Sequence, residues 1–401
     1  MAENSPPPLR FESQRSLIHR LTLSTLTGRP VHISKIRSSS PTNPGLAGHE
    51  ISFLRLLEAI TNGSTIEISY TGTTLLYRPG LIVGSTAGSG TSGGVVRHEL
   101  PSGCTRGVSY FLIPLCLLAP FSKSPVNVLF TGPGVITSAT STGDVSADSV
   151  RTAVLPLFEQ FGISNNMELR ILRRSCGGPE GKGGAGEVQL VFGHQVRLPK
   201  TIHFMNPGRI KRVRGVAYCT GVSSSNNVRM IEAAKGILNP LVNDIYIFSD
   251  ASPAPFLPTT YGSSAGAKKK IGVGFGLSLI AESSTSVIYP ADVASPPSGG
   301  QLPEEIGQQC AYQLLEVASL GGCVSPLGAP TMLTLMAMGS EDVGRLQMGK
   351  GVFGAEEIIR LGRDLRVFGA SGWGIRDGNN DGNVIVSVVG RGVGNVGRKM
   401  A

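Results

Sequence analysis

Apolar positions recur along the chain in a pattern that predicts a helix, a short break and then a β-strand. Residues 21–36 read LTLSTLTGRPVHISKI, an apolar helical run that ends at Gly-Arg-Pro and is followed by alternating β-branched residues. Residues 111–132 repeat this order, including a basic residue shortly before Pro-Val, and residues 332–349 form a weaker third copy. The sequence therefore predicts three copies of one structural unit.

Each copy continues with a second helix, a Gly or Asn, and another strand. These continuations lie at 50–70, 149–172 and 356–375, and the last one leads to a strand at 383–390. Units of this kind bury helices against one face of a small sheet and must pack on one another to cover their apolar sides. We therefore expect an α+β fold whose large domain contains three repeated helix/sheet units.

A further strand and helix pattern precedes the third copy. In chain order, the predicted strand, helix, strand and strand are residues 213–221, 226–242, 243–250 and 271–281. A Pro-, Ser- and Gly-rich loop separates the last two strands. We assign residues 194–290 to a smaller inserted α/β domain, and residues 1–193 and 291–401 to the large domain.

A distinctive motif lies between the first strand and the second helix. Residues 37–58 read RSSSPTNPGLAGHEISFLRLLE, with fixed Pro and Gly spacing ahead of an apolar helix. This motif resembles the RNA 3′-terminal phosphate cyclase family, and the similarity covers nearly the whole chain. Further matching segments are residues 12–30, 75–84, 144–163, 276–285 and 303–324. The resemblance is to the cyclase-like branch of eukaryotic pre-ribosomal RNA processing, and it implies three large-domain units similar to the C-terminal domain of a bacterial translation initiation factor.

The resemblance also implies that the catalytic nucleophile is missing. True cyclases use a histidine in the C-terminal third, which takes AMP from ATP, but residues 204–401 of this chain contain no histidine. Where the family carries that histidine and an Asp-Gln pair, residues 325–333 read SPLGAPTML, with Ala329 and Pro330 near the Asp-Gln positions. Neither side chain can bind a phosphate or a proton.

Other positions of the family's site have changed type as well. The turn at 12–19 lacks the family's glycines, Arg15 stands where the family has Gln, and Ile18 stands where it has Arg. The family's Gln-His pair after Pro-Gly-Leu becomes His49-Glu50. A site built from convergent polar groups does not survive so many changes. We therefore expect no cyclase activity, no cofactor and no bound metal.

Composition agrees with a protein that contacts RNA inside the cell. The chain has 36 Lys and Arg against 27 Asp and Glu, a net charge of +9 that favours contact with phosphates. Its six cysteines form no CxxC pair, which is typical of a reduced intracellular protein. The longest mainly apolar run, 108–121, is shorter than the ~20 residues that span a bilayer. We read it as a buried helix and expect no membrane partner.

Cations cluster near the expected boundary of the inserted domain. The candidates for an RNA-backbone or acidic-partner surface are Arg173, Arg174, Arg209, Lys211 and Arg212. A solvated charged face would explain any one of them. By resemblance, Arg15, Arg37 and Arg78 fall in segments around the family's active site and are candidates for a retained anion site. Aromatic residues do not interleave with these cations along the chain, so base stacking is not indicated.

The resemblance implies a nucleolar ribosome-biogenesis factor that acts in small-subunit (18S) pre-rRNA processing without cyclase activity. The partners it implies are a ribosome-assembly GTPase, the pre-rRNA and other components of the small-subunit processome. Residual ATP-dependent RNA 3′-phosphate cyclase activity remains one alternative.

The other alternative is an endoribonuclease that cuts the precursor upstream of 18S rRNA. Its only candidate group is Arg363, Asp364 and Arg366, at the end of the last predicted helix. The two arginines share a helical face and could hold a scissile phosphate while the aspartate takes the 2′-hydroxyl proton. An ordinary charged helix end, where cations are favoured by the helix dipole, explains the same residues.

Overall fold

The structure, a computed structural model, describes residues 6–86, 94–163, 166–193, 199–258, 268–378 and 382–393. Its first unit forms one four-stranded sheet with two helices and a small additional strand pair. In chain order the elements are β1 (Leu9–Glu12), α1 (Leu17–Thr27), β2 (Val31–Ser34), α2 (Gly48–Ile60), β3 (Thr61–Asn62), β4 (Thr65–Ile68), β5 (Leu75–Arg78) and β6 (Leu81–Ile82). Helix α1 ends where Gly28 takes a left-handed conformation at φ 68°, immediately before the predicted break.

The second unit repeats this arrangement. Its elements are β7 (Val96–Glu99), α3 (Ser109–Leu118), β8 (Val126–Thr131), α4 (Ala147–Ser149), α5 (Leu155–Gln160), β9 (Glu168–Arg173) and β10 (Glu187–Phe192). A π-helical turn at Val150–Val154 joins α4 to α5, so the two behave as one interrupted helix. The predicted helix, break, strand, helix and strand are therefore all present in this unit.

A short strand, β11 (His203–Phe204), is followed by a separate four-stranded sheet with helices on one face. Its elements, and a small pair beside it, are β12 (Ile210–Thr220), α6 (Ser225–Leu238), β13 (Asp244–Ser252), β14 (Phe256–Pro258), β15 (Lys268–Lys270), β16 (Gly274–Ser283), β17 (Ile288–Ala294) and α7 (Pro303–Ser319). The strand order is β13-β12-β16-β17, and we call this the insert sheet.

The third unit resumes after the insert sheet. Its remaining elements are α8 (Ala329–Met338), β18 (Val343–Gly349), α9 (Lys350–Phe353), α10 (Glu356–Val367), β19 (Gly374–Asp377) and β20 (Asn383–Val389). The first strand, β11, pairs with β18 in parallel, β18 with β20 antiparallel, and β20 with β19 antiparallel. The sheets β1-β2-β5-β4 and β7-β8-β10-β9 have the same order and the same strand directions. The α+β class with three repeated units is confirmed.

The first helices of the three units meet in the middle of the molecule. Helix α1 lies against α3, and α3 lies against α8. Nearly every residue of α3 and α8 is buried. A helix that is apolar on all sides must be covered on all sides, which explains why these two lie at the centre. Their buried side chains belong to one continuous core that also includes the insert sheet.

The boundaries of the inserted domain remain a prediction, and hydrogen bonding suggests how to revise them. His203–Phe204, which the sequence assigned to the insert, pairs with a strand of the third unit. The strand Ile288–Ala294 joins the insert sheet, and α7 packs on that sheet beside α6. We therefore propose that the insert extends from Ile210 to Ser319. Among the described helices, none combines the length and apolar character needed to cross a bilayer.

Candidate functional site

Arg37 lies just after β2 and is held by a carboxylate of its own chain. Its Nη1 donates to Glu50 Oε2 at 2.8 Å and its Nη2 donates to Glu50 Oε1 at 2.6 Å, a two-point contact. A third bond runs from Nη1 to the Gly45 carbonyl at 2.7 Å. The hydrogen bond with Glu50 raises the pKa of Arg37. The guanidinium that should hold an anion is therefore already occupied.

The position of Glu50 follows from the start of α2. It is the third residue of the helix and accepts a bond from the Ala47 backbone N–H at 2.8 Å, as in a capping box. Its side chain is buried. By resemblance, this is the position at which true cyclases carry a histidine. The change from histidine to glutamate supplies the carboxylate that neutralises Arg37.

By resemblance, Arg37 and Glu50 lie in the family's active-site cleft, and the side chains beside Glu50 are aromatic and charged. His49 meets Tyr110 edge-on, with ring centroids 5.2 Å apart, and the Arg106 guanidinium lies 4.3 Å from the Tyr110 ring centre. Arg106 is in turn paired with the buried Asp144. Burial lowers the pKa of His49, so the imidazole is neutral at physiological pH. The first and second units thus close this cleft with groups that satisfy one another.

The other two candidates for the anion site lie in different places. Arg15 is exposed and reaches Glu356 only at 3.8 Å, at the same end of the first sheet as Arg37. Arg78 lies at the opposite end of the sheet, because the register pairs its neighbour Tyr77 with Val31, the first residue of β2. At ~3.3 Å per strand residue, Arg78 is at least ~13 Å from the end of β2 that leads to Arg37. Arg78 also pairs with Glu67 on the neighbouring strand. The structure therefore brings Arg15 and Arg37 towards one another but not Arg78.

Residues 325–333, which by resemblance stand where the family carries its catalytic residues, lead into α8. Ala329 is fully buried there and packs in the core. Pro330, the next residue, has no backbone N–H to offer a phosphate. Within the described part of the chain, no cluster of three His, Cys, Asp or Glu side chains is arranged to hold a metal ion.

The three residues considered for RNA cleavage, Arg363, Asp364 and Arg366, lie on different sides of α10. Arg363 and Arg366 are exposed, but Asp364 points inward and is buried. Arg20 of α1 donates to it through Nε at 2.9 Å and through Nη2 at 3.4 Å. A carboxylate held in this way connects the first unit to the third, and it does not share a face with the two exposed arginines.

The cations near the insert have separate surroundings. Arg174 is buried and bridges Asp148 of the second unit to Asp250 of the insert sheet. Burial alone would lower the pKa of Arg174, but these two carboxylates outweigh it and raise that pKa. Arg173 is exposed beside it. Arg174 therefore joins two parts of the protein and is not available to RNA.

The remaining three cations lie at the start of β12. Arg209 and Lys211 are exposed and form no ion pair with any residue in the described ranges. Arg212 is also exposed but is paired with Glu282 through two bonds, at 2.9 and 2.7 Å. Together with Arg173, these residues form the exposed part of the predicted basic surface.

Sequence reasoning missed both internal partners described above. The Pro-Gly-Leu-Ala-Gly-His-Glu spacing ahead of an apolar helix could have indicated that Glu50 turns back to cap α2. No local signal marks Arg20 as the partner of Asp364, because 344 positions separate them.

Three repeated units and an inserted sheet define a protein of the RNA cyclase fold. A family model described as RNA 3′-terminal phosphate cyclase matches residues 9–361. The chain belongs to the RNA 3′-terminal phosphate cyclase family, and the resemblance seen in the sequence is confirmed.

Curated relatives share most of their length with this chain. It is 36% identical over 392 residues to the "rRNA processing protein rcl1" of Schizosaccharomyces pombe, and the alignment covers 98% of each chain. It is 35% identical over 405 residues to the "rRNA processing protein RCL1" of Saccharomyces cerevisiae, and the alignment covers 100% of each chain. It is 41% identical over 346 residues to the human "RNA 3'-terminal phosphate cyclase-like protein", which covers 85% of this chain and 83% of the relative.

Proposed function

We propose that this protein is an rRNA-processing factor without cyclase activity. It acts in the nucleolus on the small-subunit (18S) precursor and binds a ribosome-assembly GTPase within the small-subunit processome. Two yeast relatives that align over nearly the entire chain carry names that state rRNA processing, which supports the same process here. The GTPase, the nucleolus and the processome come from the resemblance that the sequence carries.

The observation that best supports the loss of cyclase activity is the contact between Arg37 and Glu50. Both guanidinium ends of the arginine bond to an internal carboxylate, so an incoming RNA phosphate would have to displace it. The buried Ala329 offers no replacement group at the start of α8. A protein with such a cleft is better suited to presenting surfaces to partners than to transferring AMP.

The proposal is tested with the purified full-length chain, its expected GTPase partner and a precursor RNA that spans the upstream cleavage region. We expect stable binding of the GTPase and weaker RNA binding that falls steeply with salt. We expect no covalent AMP on the protein after incubation with labelled ATP. Covalent AMP would overturn the loss of cyclase activity, and failure to bind the GTPase would overturn the scaffold role.

A cellular experiment tests the process itself. Depletion of the protein should cause uncut small-subunit precursor to accumulate, and a tagged copy should concentrate in nucleoli. Normal 18S rRNA levels after depletion would contradict the proposal.

The endonuclease alternative requires a free carboxylate at Asp364, and the ion pair with Arg20 counts against it. The exposed Arg363 and Arg366 allow a test that spares the fold. If purified protein cuts the precursor at a defined site, and Arg363→Ala with Arg366→Ala abolishes the cut while unfolding stays the same, the protein is an enzyme. We expect no specific cut with either form.

A further inference from the structure

The insert sheet has one covered face and one partly open face. Val213, Ala217 and Leu279 alternate inward and are buried beneath α6 and α7. On the opposite face, Arg174 contacts Asp250, so the second unit covers one end of the sheet. The other end, at the start of β12 and β13, remains open.

Two aromatic side chains stand on this open end. Tyr246 and Phe248 lie two positions apart on β13 and therefore point to the same side. They are 62% and 53% exposed, although rings of this size are usually buried or partnered. Two strand residues span ~6.7 Å, a spacing at which both rings can stack on neighbouring bases of an extended single strand.

Cations flank the aromatic pair on the same face. The register sets Arg214 of β12 directly beside Tyr246, and Asp244 fixes the Arg214 guanidinium through two bonds, at 2.8 and 2.7 Å. Arg209, just before β12, and Lys211 are exposed at the edge of this face, where the pairing of β12 with β16 is irregular between Ile210 and Arg212. Distant parts of the chain thus combine aromatic and basic groups that are not adjacent in the sequence.

The balance of charge on this face is positive. Arg212 and Arg214 lie on the face itself, and Arg209 and Lys211 lie at its edge, at the start of β12. Its two carboxylates, Asp244 and Glu282, are each paired with one of these arginines. The net charge is therefore +2, and the two cations without an ion-pair partner among the described residues can meet phosphates.

A groove continues from this face towards the second unit. It has a volume of about 310 Å³ and runs between Pro156 and Gln160 of α5 and Ile280 and Ile288 of the insert sheet. Glu159 and Glu282 also line it, so an RNA strand that crosses the sheet from β13 would meet this groove with its bases and not with its phosphates. The open face and the groove together form a path with aromatic rings at one end and a recess at the other.

We propose that single-stranded RNA binds across this open face, with two bases stacked on Tyr246 and Phe248 and the backbone near Arg209 and Lys211. Exposed flat rings beside exposed cations fit bases and phosphates better than an apolar peptide. This inference rests on the proposed rRNA-processing function, because it names the surface that would hold the precursor.

The test measures fluorescence anisotropy of a short, unstructured, labelled oligoribonucleotide with the full-length protein. Tyr246→Ala and Phe248→Ala should each weaken binding, roughly 5- to 150-fold for the loss of one stacked base, without changing the salt dependence. Tyr246→Phe should keep most of the affinity because it keeps the ring. Tyr70→Ala, which removes a fully exposed ring on the first unit, is the matched control and should bind like the original protein.

Salt dependence tests the cations separately. Arg209→Gln and Lys211→Gln should each reduce the slope of log affinity against log salt by about 0.7. Both residues are exposed, so thermal unfolding should confirm an unchanged fold. An unchanged slope would show that the backbone does not lie along the start of β12 and would overturn that part of the proposal.

The outcomes separate this inference from the function on which it rests. If the original protein binds the oligoribonucleotide and the alanine variants at 246 and 248 bind it equally well, the open face is not the RNA site, although the rRNA-processing role stands. If those variants instead lose the GTPase partner, the face is a protein-binding surface and the inference is wrong. If the original protein binds neither RNA nor GTPase, both proposals fail.

Discussion

Replacing Asp364 with alanine should destabilise the fold, whatever it does to RNA cleavage. Asp364 and Arg20 form a two-point ion pair between α10 and α1, with side-chain exposures of 7% and 11%. The Arg20 guanidinium also lies 4.3 Å from the centre of the Phe11 ring. Alanine at 364 would leave this cation buried between two helices without its counter-charge.

The expected loss follows from the desolvation of Arg20. Two unit charges ~4 Å apart attract with about 4 kcal/mol at an effective dielectric constant of ~20. Removal of one member of a buried pair typically costs about 3–5 kcal/mol, because the remaining charge keeps its desolvation penalty. Domains are stable by only about 5–15 kcal/mol, so Asp364→Ala should remove a large part of that margin.

The single tryptophan allows the loss of stability to be measured close to Asp364. Trp373 packs against Gly362 of α10, and its ring lies 6.4 Å from that of Phe353. Urea unfolding followed by its fluorescence therefore reports on the helix that carries Asp364. Asp364→Ala should unfold at clearly lower urea than the original protein.

Two further variants separate the ion pair from other effects. Arg363→Ala changes an exposed neighbour on the same helix and should alter stability by no more than about 0.5 kcal/mol. The double change Arg20→Met with Asp364→Leu should recover most of the lost stability, because a matched apolar pair carries no desolvation penalty. If Asp364→Ala unfolds at the same urea concentration as Arg363→Ala, the ion pair does not stabilise the fold and the reasoning is refuted.

Three other expected outcomes follow from the geometry. Glu50→Gln should free Arg37 and raise the affinity for a 3′-phosphorylated oligoribonucleotide in calorimetric titration, whereas Glu58→Gln on the same helix should not. Equal affinities would contradict an internally occupied cleft. Arg174→Met should cost about 3–5 kcal/mol and speed hydrogen exchange along β13, since a buried contact to Asp148 and a partly buried contact to Asp250 are lost. Unchanged exchange would show that this residue does not hold the insert. Burial holds the pKa of His98 at about 4, below its ordinary 6.5, so the unfolded chain takes up the proton first. Stability should be complete above pH ~6.5 and fall by about 3 kcal/mol as pH drops to ~4, and His98→Gln should flatten that curve in pH-dependent urea unfolding.

The repeated fold could be predicted from the sequence because its signals are local. Helices α3 and α8 are marked by runs of apolar residues, and Gly28 with the following proline marks the end of α1. The edges of the insert were harder, since β11 has only two residues and its pairing is with a strand far along the chain. Short strands of this kind carry almost no periodic pattern.

The site was less predictable because its decisive contacts are between distant positions. Spacing alone suggested that Arg363, Asp364 and Arg366 could act together, but the face of α10 that packs on α1 determines that the aspartate is buried. The absence of interleaved aromatics and cations along the chain does not determine which of them meet in the folded protein. Parallel pairing of β12 and β13 sets Arg214 beside Tyr246, although 32 positions separate the two residues in the sequence.

The interruption of the third sheet has a consequence for how the chain folds as it is synthesised. The register pairs His203 with Arg345, and 345 − 203 is 142 positions. At about 5–20 residues per second, β11 emerges from the ribosome roughly 7–28 s before its partner exists. The first two units are already synthesised when that interval begins, and the insert can complete its sheet within it. The third sheet therefore closes last, and chains truncated before β18 would expose the apolar sides of two finished units, a species that chaperones and proteases should recognise.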